Sequence, residues 1–311
     1  MDGIIFPHPL RPGQTVAFIS PATEVRPEFV SGAKARIEKA GFNVRVMPHA
    51  LGDPCGSYSA SREERLQDFL EAWVDPEVGA VICSRGGYGC VHLLDDIQDE
   101  SLRKNPKWLV GFSDVSALHA RLLEAGIASV HGSMARYIAD AEGGQKALDS
   151  LLAILCAEIP RFDYRLPASP LNGFRTSVCG QLRGGNLAVL SHLIGTRHDI
   201  FAGEGHILFI EDISEAIYAT ERMLWQLRQA GILDRINGLI IGQFTETKAD
   251  RNFPDTATMI HHRLGEWGVS ERIPVVYGFP AGHIPGNVPL IEGAEVELTC
   301  ADKYVNLRTI D

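Results

Sequence analysis

The stretch KWLVGFSDVSALHARLLEAG, residues 107–126, sets the fold class. KWLVGF is a short unbroken apolar run, as a buried strand makes, and DVSALHARLLEAG follows it as a helix with a single serine between them. The same alternation runs upstream. VGAVICS (78–84) reads as a buried strand ending in a tight turn of Gly86, Gly87 and Gly89, after which Val91, Leu93 and Leu94 begin a helix. SREERLQDFLEAWV (61–74) is a helix with Ser61 as N-cap and Glu64 completing a capping box. FNVRVM (42–47) alternates like a strand. Residues 27–40 carry Phe29, Ala33, Ile37 and Ala40 at helical spacing, stopped by Gly41. TVAFIS (15–20) reads as a strand that Pro21 halts. Strand–helix alternation implies a parallel sheet covered by helices on both faces. The expectation is an open doubly wound α/β domain, Rossmann- or flavodoxin-like, over residues 1–156.

Residues 157–175 lose helical periodicity and collect three prolines, so they read as a linker. Beyond it, residues 176–311 suggest a strand-rich α+β domain, with strands near 176–183, 206–211, 238–243 and 294–299 and helices near 185–194 and 218–231. Composition is that of an ordinary globular protein, 45% hydrophobic and 22% charged. A net charge of −10 argues against sequence-independent nucleic-acid binding, which needs a basic face. The N-terminus lacks a signal-peptide pattern and no segment approaches the roughly 18 apolar residues that span a bilayer, so a cytoplasmic protein without membrane partners is expected. The six cysteines form no C-x-x-C pair, and Cys83, Cys156 and Cys179 read as reduced core residues. His261-His262 lacks metal-ligand spacing to a third ligand and reads as a solvated helix face. Neither a metal nor a cofactor is expected.

Four segments carry chemistry. In GFSDVSALHA (111–120), Ser113 stands where a sharp strand–helix turn lifts a nucleophilic hydroxyl off a sheet edge, with the next N–H able to face an oxyanion. The pattern is not G-x-S-x-G, and the same serine could simply cap the helix. SRGGYG (84–89) could converge backbone N–H groups on an anion, or be a plain turn that needs glycine. It matches no nucleotide-binding motif. Glu211 ends the apolar strand of ILFIED, an expensive place for a carboxylate without a partner such as imidazole, unless it emerges into solvent there. His283 lies in the loop GFPAGHIPGN (278–287), where function concentrates.

Taken together and in order, SPAT (20–23), RGGYG, GFSD before an LH-containing helix, His131-Gly132, GGN (184–186), FIEDISE and GHIPGN resemble the LD-carboxypeptidases. These serine peptidases include murein tetrapeptide carboxypeptidases and microcin C immunity peptidases. The resemblance implies Ser113 as nucleophile, Glu211 and His283 completing the triad from the second domain, no cofactor, and an oxyanion hole that we place on the N–H groups of Gly87 and Asp114. It implies a site between the domains, a homodimer, and release of terminal D-alanine from a small murein peptide during cell-wall recycling. A terminal carboxylate calls for an arginine fork; Arg85, with Gly86 beside it, is the first candidate, Arg183 and Arg222 weaker ones. Ile217 and Glu221 stand where the family often has Pro and Asp, and Ile284-Pro285-Gly286 follow His283 where a second glycine is common. The rival within the family is an immunity-type peptidase that cleaves aminoacyl adenylate analogues. Those are longer and insert an aromatic loop, whereas only YRLPASPLNGF stands between the domains here. A rival of another class is a non-enzymatic α/β protein that binds a phosphate-bearing ligand on SRGGYG.

Overall fold

The computed structural model describes residues 3–169, 171 and 174–310; positions 170, 172 and 173 of the stretch read as a linker lie outside the described residues. The chain forms two compact units. One runs to Pro160 and takes in Pro285–Glu292; the other holds Arg161–Ile284 and the chain from Gly293 onward. A division by sequence alone assigns Pro285–Glu292 to the second unit.

In the first unit β1 (Thr15–Ile19), α1 (Pro27–Lys39), β2 (Asn43–Val46), α2 (Arg62–Val74), β3 (Val78–Cys83), α3 (Asp99–Lys104), β4 (Trp108–Gly111), α4 (Ser116–Glu124), β5 (Ser129–His131), α5 (Ala135–Ile138) and α6 (Gly144–Leu155) follow one another. The strands lie in the order β2-β1-β3-β4-β5, all parallel, and Leu290–Glu292 closes the far edge antiparallel to β5. This is the flavodoxin-like order, whose direction reverses between β1 and β3, so the loops after those strands flank the crevice where such sheets bind ligands. All five residues of β1 are buried, as a strand covered on both faces requires. Helix α1 packs with α5 and α6, while α2 packs with α3 and with the turn 90–96 that also meets α4, giving two helix layers.

Helix α2 opens with the expected box: Ser61 accepts from the Glu64 N–H, and Glu64 accepts from the Ser61 N–H. Two local readings change. Residues Cys90–Asp96 form a 3₁₀ turn rather than an α-helix; it buries Leu93 and Leu94 and leaves Val91 exposed. In α1 the buried face is Val30, Ala33 and Ile37, with Phe29 only half-buried.

The second unit contains β6 (Asp163–Pro167), β7 (Ser177–Asn186), α7 (Leu187–Ser191), β8 (Ile207–Ile213), α8 (Ile217–Gln229), β9 (Gly238–Thr245), α9 (Thr256–Glu266) and β10 (Val275–Tyr277). With Leu290–Glu292 counted as β11, β12 (Glu295–Cys300) and β13 (Tyr304–Thr309) complete it. Its seven strands lie in the order β10-β9-β8-β7-β12-β13-β6. The first four are parallel and the rest antiparallel. Strand β6 falls within the expected linker; it pairs with β13 at the edge of the sheet, a position that tolerates Pro167. Helix α7 is shorter than expected because Asn186 caps it only at Leu187, accepting from the Val189 N–H at 3.1 Å.

Of the cysteines read as core, Cys83 is buried, Cys156 half-buried and Cys179 exposed. Cys179 lies in the outer part of β7, where alternate side chains, Ser177 and Cys179, face water. Cys156 follows the last turn of α6. His261 and His262 lie on the exposed face of α9. Among the described residues no helix is long and apolar enough to cross a membrane.

Candidate active site

Ser113 sits immediately beyond β4, in the first residue of a 3₁₀ turn that leads into α4. Its φ is +64°, one of three positive values at non-glycine residues among those described. An L-residue adopts that region only where the surroundings hold it, and such strain gathers at functional sites. The hydroxyl makes no helix-capping bond; the turn forms instead through the Val115 N–H donating to the Phe112 carbonyl at 3.3 Å. The capping alternative therefore falls away.

The strand end beneath Ser113 is fixed from below. His119 on α4 is fully enclosed, with Nε2 donating to the Gly111 carbonyl at 2.9 Å and Nδ1 accepting from the Ser129 hydroxyl at 2.8 Å. Burial pushes its pKa down to about 4, so it is a neutral structural imidazole. The Gly132 N–H donates to the same carbonyl at 3.0 Å.

The glycine turn after β3 lies against this serine. A Cβ on Gly86 would stand 3.0 Å from Ser113 Oγ and 3.3 Å from the Asp114 nitrogen. Gly87, at φ +115°, packs on Thr23 from the loop after β1, where an added Cβ would come within 2.6 Å of Thr23 Cβ. Thr23 Oγ1 accepts from the Tyr88 N–H at 3.1 Å. The two loops at the sheet's reversal point are thus knitted together beside Ser113. Arg85 is exposed, and its Nη1 donates to the Glu24 carbonyl at 2.9 Å, so part of the guanidinium braces the loop after β1.

In the second unit Glu211 is fully buried on β8, and its Oε2 accepts from His283 Nδ1 at 2.7 Å. A β-bulge between Ile210 and Asp212 shifts the register against β9 at this residue, a device that re-aims a side chain. Asp212, next along, serves the other side of the strand. It accepts from Asn186 Nδ2 at 2.9 Å and from the Ala188 N–H at 2.9 Å, pinning the junction of β7 with α7 at the GGN segment. Burial, and then the neighbouring Glu211 charge, raise its pKa to about 6.

The histidine loop is stitched to β9, with the Gln243 N–H donating to the Ala281 carbonyl and the Phe279 N–H to the Ile241 carbonyl, each at 3.0 Å. Gly282 (φ +126°) is required there: an added Cβ would meet Glu211 Oε2 at 2.9 Å. With Nδ1 given to the carboxylate, Nε2 is the nitrogen that can take up a proton.

The weaker arginine candidates are engaged elsewhere in this unit. Arg183 donates to the Gln181 side chain at 2.8 Å and to the Ile200 and Ala202 carbonyls at 3.0 Å. Arg222 lies over the Tyr218 ring at 5.5 Å. Thr23, Arg65, His119, Asp212 and Gly282 are supporting residues that the sequence reading did not single out; SPAT, LH, FIED and GHIPGN carried Thr23, His119, Asp212 and Gly282 only as parts of a resemblance, and Arg65 lies in none of these motifs.

The first unit thus holds a strained serine at a strand end with a glycine turn against it, and the second a buried carboxylate–imidazole pair. The chain belongs to the LD-carboxypeptidase family. Residues 16–132 match the LD-carboxypeptidase N-terminal domain and residues 179–298 its C-terminal domain. It is thereby a peptidase. It is 30% identical to the murein tetrapeptide carboxypeptidase of Pseudomonas aeruginosa over 86% of this chain and 87% of that one. The crystal structure of muramoyltetrapeptide carboxypeptidase from Oxalobacter formigenes superposes with a TM-score of 0.84 at 30% identity, covering 96% of this chain and 99% of that one. The microcin C7 self-immunity protein bound to aspartyl sulfamoyl adenosine shares the fold, with a TM-score of 0.87, 21% identity and 99% of each chain covered.

Proposed function

We propose that this chain is a serine-type LD-carboxypeptidase that releases terminal D-alanine from murein tetrapeptide, as a cytoplasmic homodimer. The observation that carries the serine reading is Ser113 itself, held at φ +64° with the Gly86 backbone against its hydroxyl. The murein substrate is supported by the two relatives at 30% identity that act on this peptide.

In this reading His283 Nε2 removes the Ser113 hydroxyl proton as the oxygen attacks the carbonyl before the terminal residue. Glu211 fixes the tautomer and stabilises the imidazolium. The N–H groups of Gly87 and Asp114 receive the oxyanion. His283 then protonates the departing D-alanine amine, and a water activated by the same imidazole releases the acyl group from Ser113. Arg85 binds the substrate's terminal carboxylate through the guanidinium edge turned away from Glu24.

Mass spectrometry of murein tetrapeptide incubated with wild type and Ser113→Ala tests the reading. The expected result is loss of one alanine with wild type and none with the variant. Preferential cleavage of an aminoacyl sulfamoyl adenosine would move the substrate to the immunity branch.

A further inference from the structure

We propose that Arg65 and Asp114 act together as positioning residues for the oxyanion hole, by holding one peptide group of the glycine turn from its two ends. The proposal rests on the reading of Ser113 as nucleophile and of the Gly87 and Asp114 N–H groups as oxyanion donors. Arg65, on α2, is 2% exposed. Its guanidinium serves chiefly carbonyl oxygens: Nη1 donates to Pro21 at 2.6 Å and to Gly89 at 3.0 Å, and Nε to Ala60 at 3.3 Å, while Nη2 meets His92 Nδ1 at 3.5 Å. The guanidinium also lies over the Tyr58 ring, 4.9 Å from its centroid. Asp114, 3% exposed, accepts from the Cys90 N–H at 2.8 Å.

The Gly89 carbonyl and the Cys90 N–H belong to the same peptide bond. A buried cation therefore polarises its oxygen while a buried anion polarises its hydrogen, and the two reinforce each other in a low-dielectric setting. Gly89 is needed for the approach, since at φ +134° an added Cβ would stand 2.7 Å from Arg65 Nη1. Arg121 shows the ordinary alternative: it is equally buried and also serves a carbonyl, that of Ile97, but it pairs directly with the carboxylates of Asp99 and Glu124. Arg65 instead reaches its anion through a peptide.

The consequence is geometric. One oxyanion donor, Gly87, lies two residues before the clamped peptide, and the other is the N–H of the clamping Asp114 itself. Arg65 also grips Pro21, fixing the loop after β1 on which Gly87 packs through Thr23. Oxyanion donors help only when preset about 2.7–3.1 Å from the place where charge develops. The clamp sets that spacing.

The test uses the full-length enzyme with Arg65→Met, Arg65→Lys, Asp114→Asn and the Met/Asn double variant. Asparagine keeps an acceptor for the Cys90 N–H but loses the charge. We expect kcat to fall about 10- to 100-fold in Arg65→Met, part of the 10²–10³ that removing a donor outright costs, with KM within about twofold. Arg65→Lys recovers part of the loss. The double variant loses no more than the worse single, as members of one unit do.

A tripeptidyl boronate, with boron in place of the scissile carbonyl carbon, should weaken in proportion to kcat, while binding of the tripeptide product holds. Retention of kcat within about twofold by folded Arg65→Met, strictly additive losses, or equal weakening of boronate and product would each overturn the proposal. Should Arg65→Met not fold, the near-isosteric Asp114→Asn decides by the same boronate-to-product ratio. Ser113→Ala is run alongside. If it stays active the nucleophile reading falls; if it is dead while the clamp variants keep full kcat, only the clamp falls.

Discussion

Replacing Gly282 by alanine perturbs the proposed triad without touching any of its members. The residue has φ +126°, a region that L-residues rarely occupy, and the new Cβ would lie 2.9 Å from Glu211 Oε2, 3.1 Å from Glu211 Cβ and 3.2 Å from the Gln243 carbonyl oxygen. Two of these three neighbours are a side-chain root and a backbone atom, so retreat by rotamer is closed to them. Glu211 is wholly enclosed on β8 and has no room to withdraw. Bringing the closest contact to an ordinary separation takes a shift of about half an ångström, and the histidine loop is what can give. The 2.7 Å bond from His283 Nδ1 to Glu211 Oε2 then lengthens or breaks. Misplacement of about 1 Å costs on the order of 10²-fold in rate, so kcat is expected to fall about 10- to 100-fold. Backbone strain takes about 1–3 kcal/mol from stability. Steady-state release of D-alanine gives kcat and KM, thermal unfolding gives the stability change, and the downfield Nδ1–H resonance of His283 reports the bond. Gly278→Ala is the matched control: its φ is +70° but nothing stands within 4 Å of the added Cβ, so it carries strain without the clash and should keep kcat. Equal kcat in Gly282→Ala and wild type, with the Nδ1–H resonance unmoved, would refute the reasoning.

Ser113→Gly should abolish peptidase activity yet raise stability by about 1 kcal/mol, since glycine meets no steric penalty at φ +64°; calorimetry showing a loss of stability would contradict the strain argument. Arg85→Ala should lower kcat/KM about 10- to 150-fold on tetrapeptide, the worth of one charged hydrogen bond, and be nearly indifferent to amidation of the terminal carboxylate; equal losses on both substrates would leave Arg85 as a brace for the loop it already holds at Glu24. Burial holds the Asp212 carboxyl at about 6, above its ordinary 3.8, so between those values the folded protein binds the proton more tightly than the unfolded chain and stability falls as pH rises. The unfolding free energy of wild type minus that of Asp212→Asn should therefore fall by roughly 2 kcal/mol from pH 4 to pH 6 in urea titrations; a difference that stays constant would refute this.

The α/β character of the first unit was legible because its strands are continuous apolar runs and its helices carry their own punctuation, as the reciprocal Ser61–Glu64 box shows. What escaped was short or decided by distant partners. Strands β10 and β11 have three residues each, too few to display a period of two. Membership of Leu290–Glu292 in the first sheet depends on pairing with Ser129–His131, a contact across more than 150 positions that no local pattern announces.

The candidate site divides along the same line. Ser113 was visible at its strand–helix junction, but its residue type suits a helix cap equally well, and only its dihedral and the Gly86 contact separate the two roles. Glu211 and Asp212 are adjacent carboxylates ending one apolar strand, so alternation places them on opposite faces without saying which face holds a histidine. The bulge and the loop at Gly282 decide that, and both follow from pairing with β9. Arg65 is the limiting case. Within its helix it looks like one more charge in REER, yet it is buried, because strand order brings the carbonyls of Pro21 and Gly89 together over α2. A residue whose closest partners are backbone carbonyls leaves little trace in side-chain chemistry. Its role becomes readable only once topology has said which loops meet.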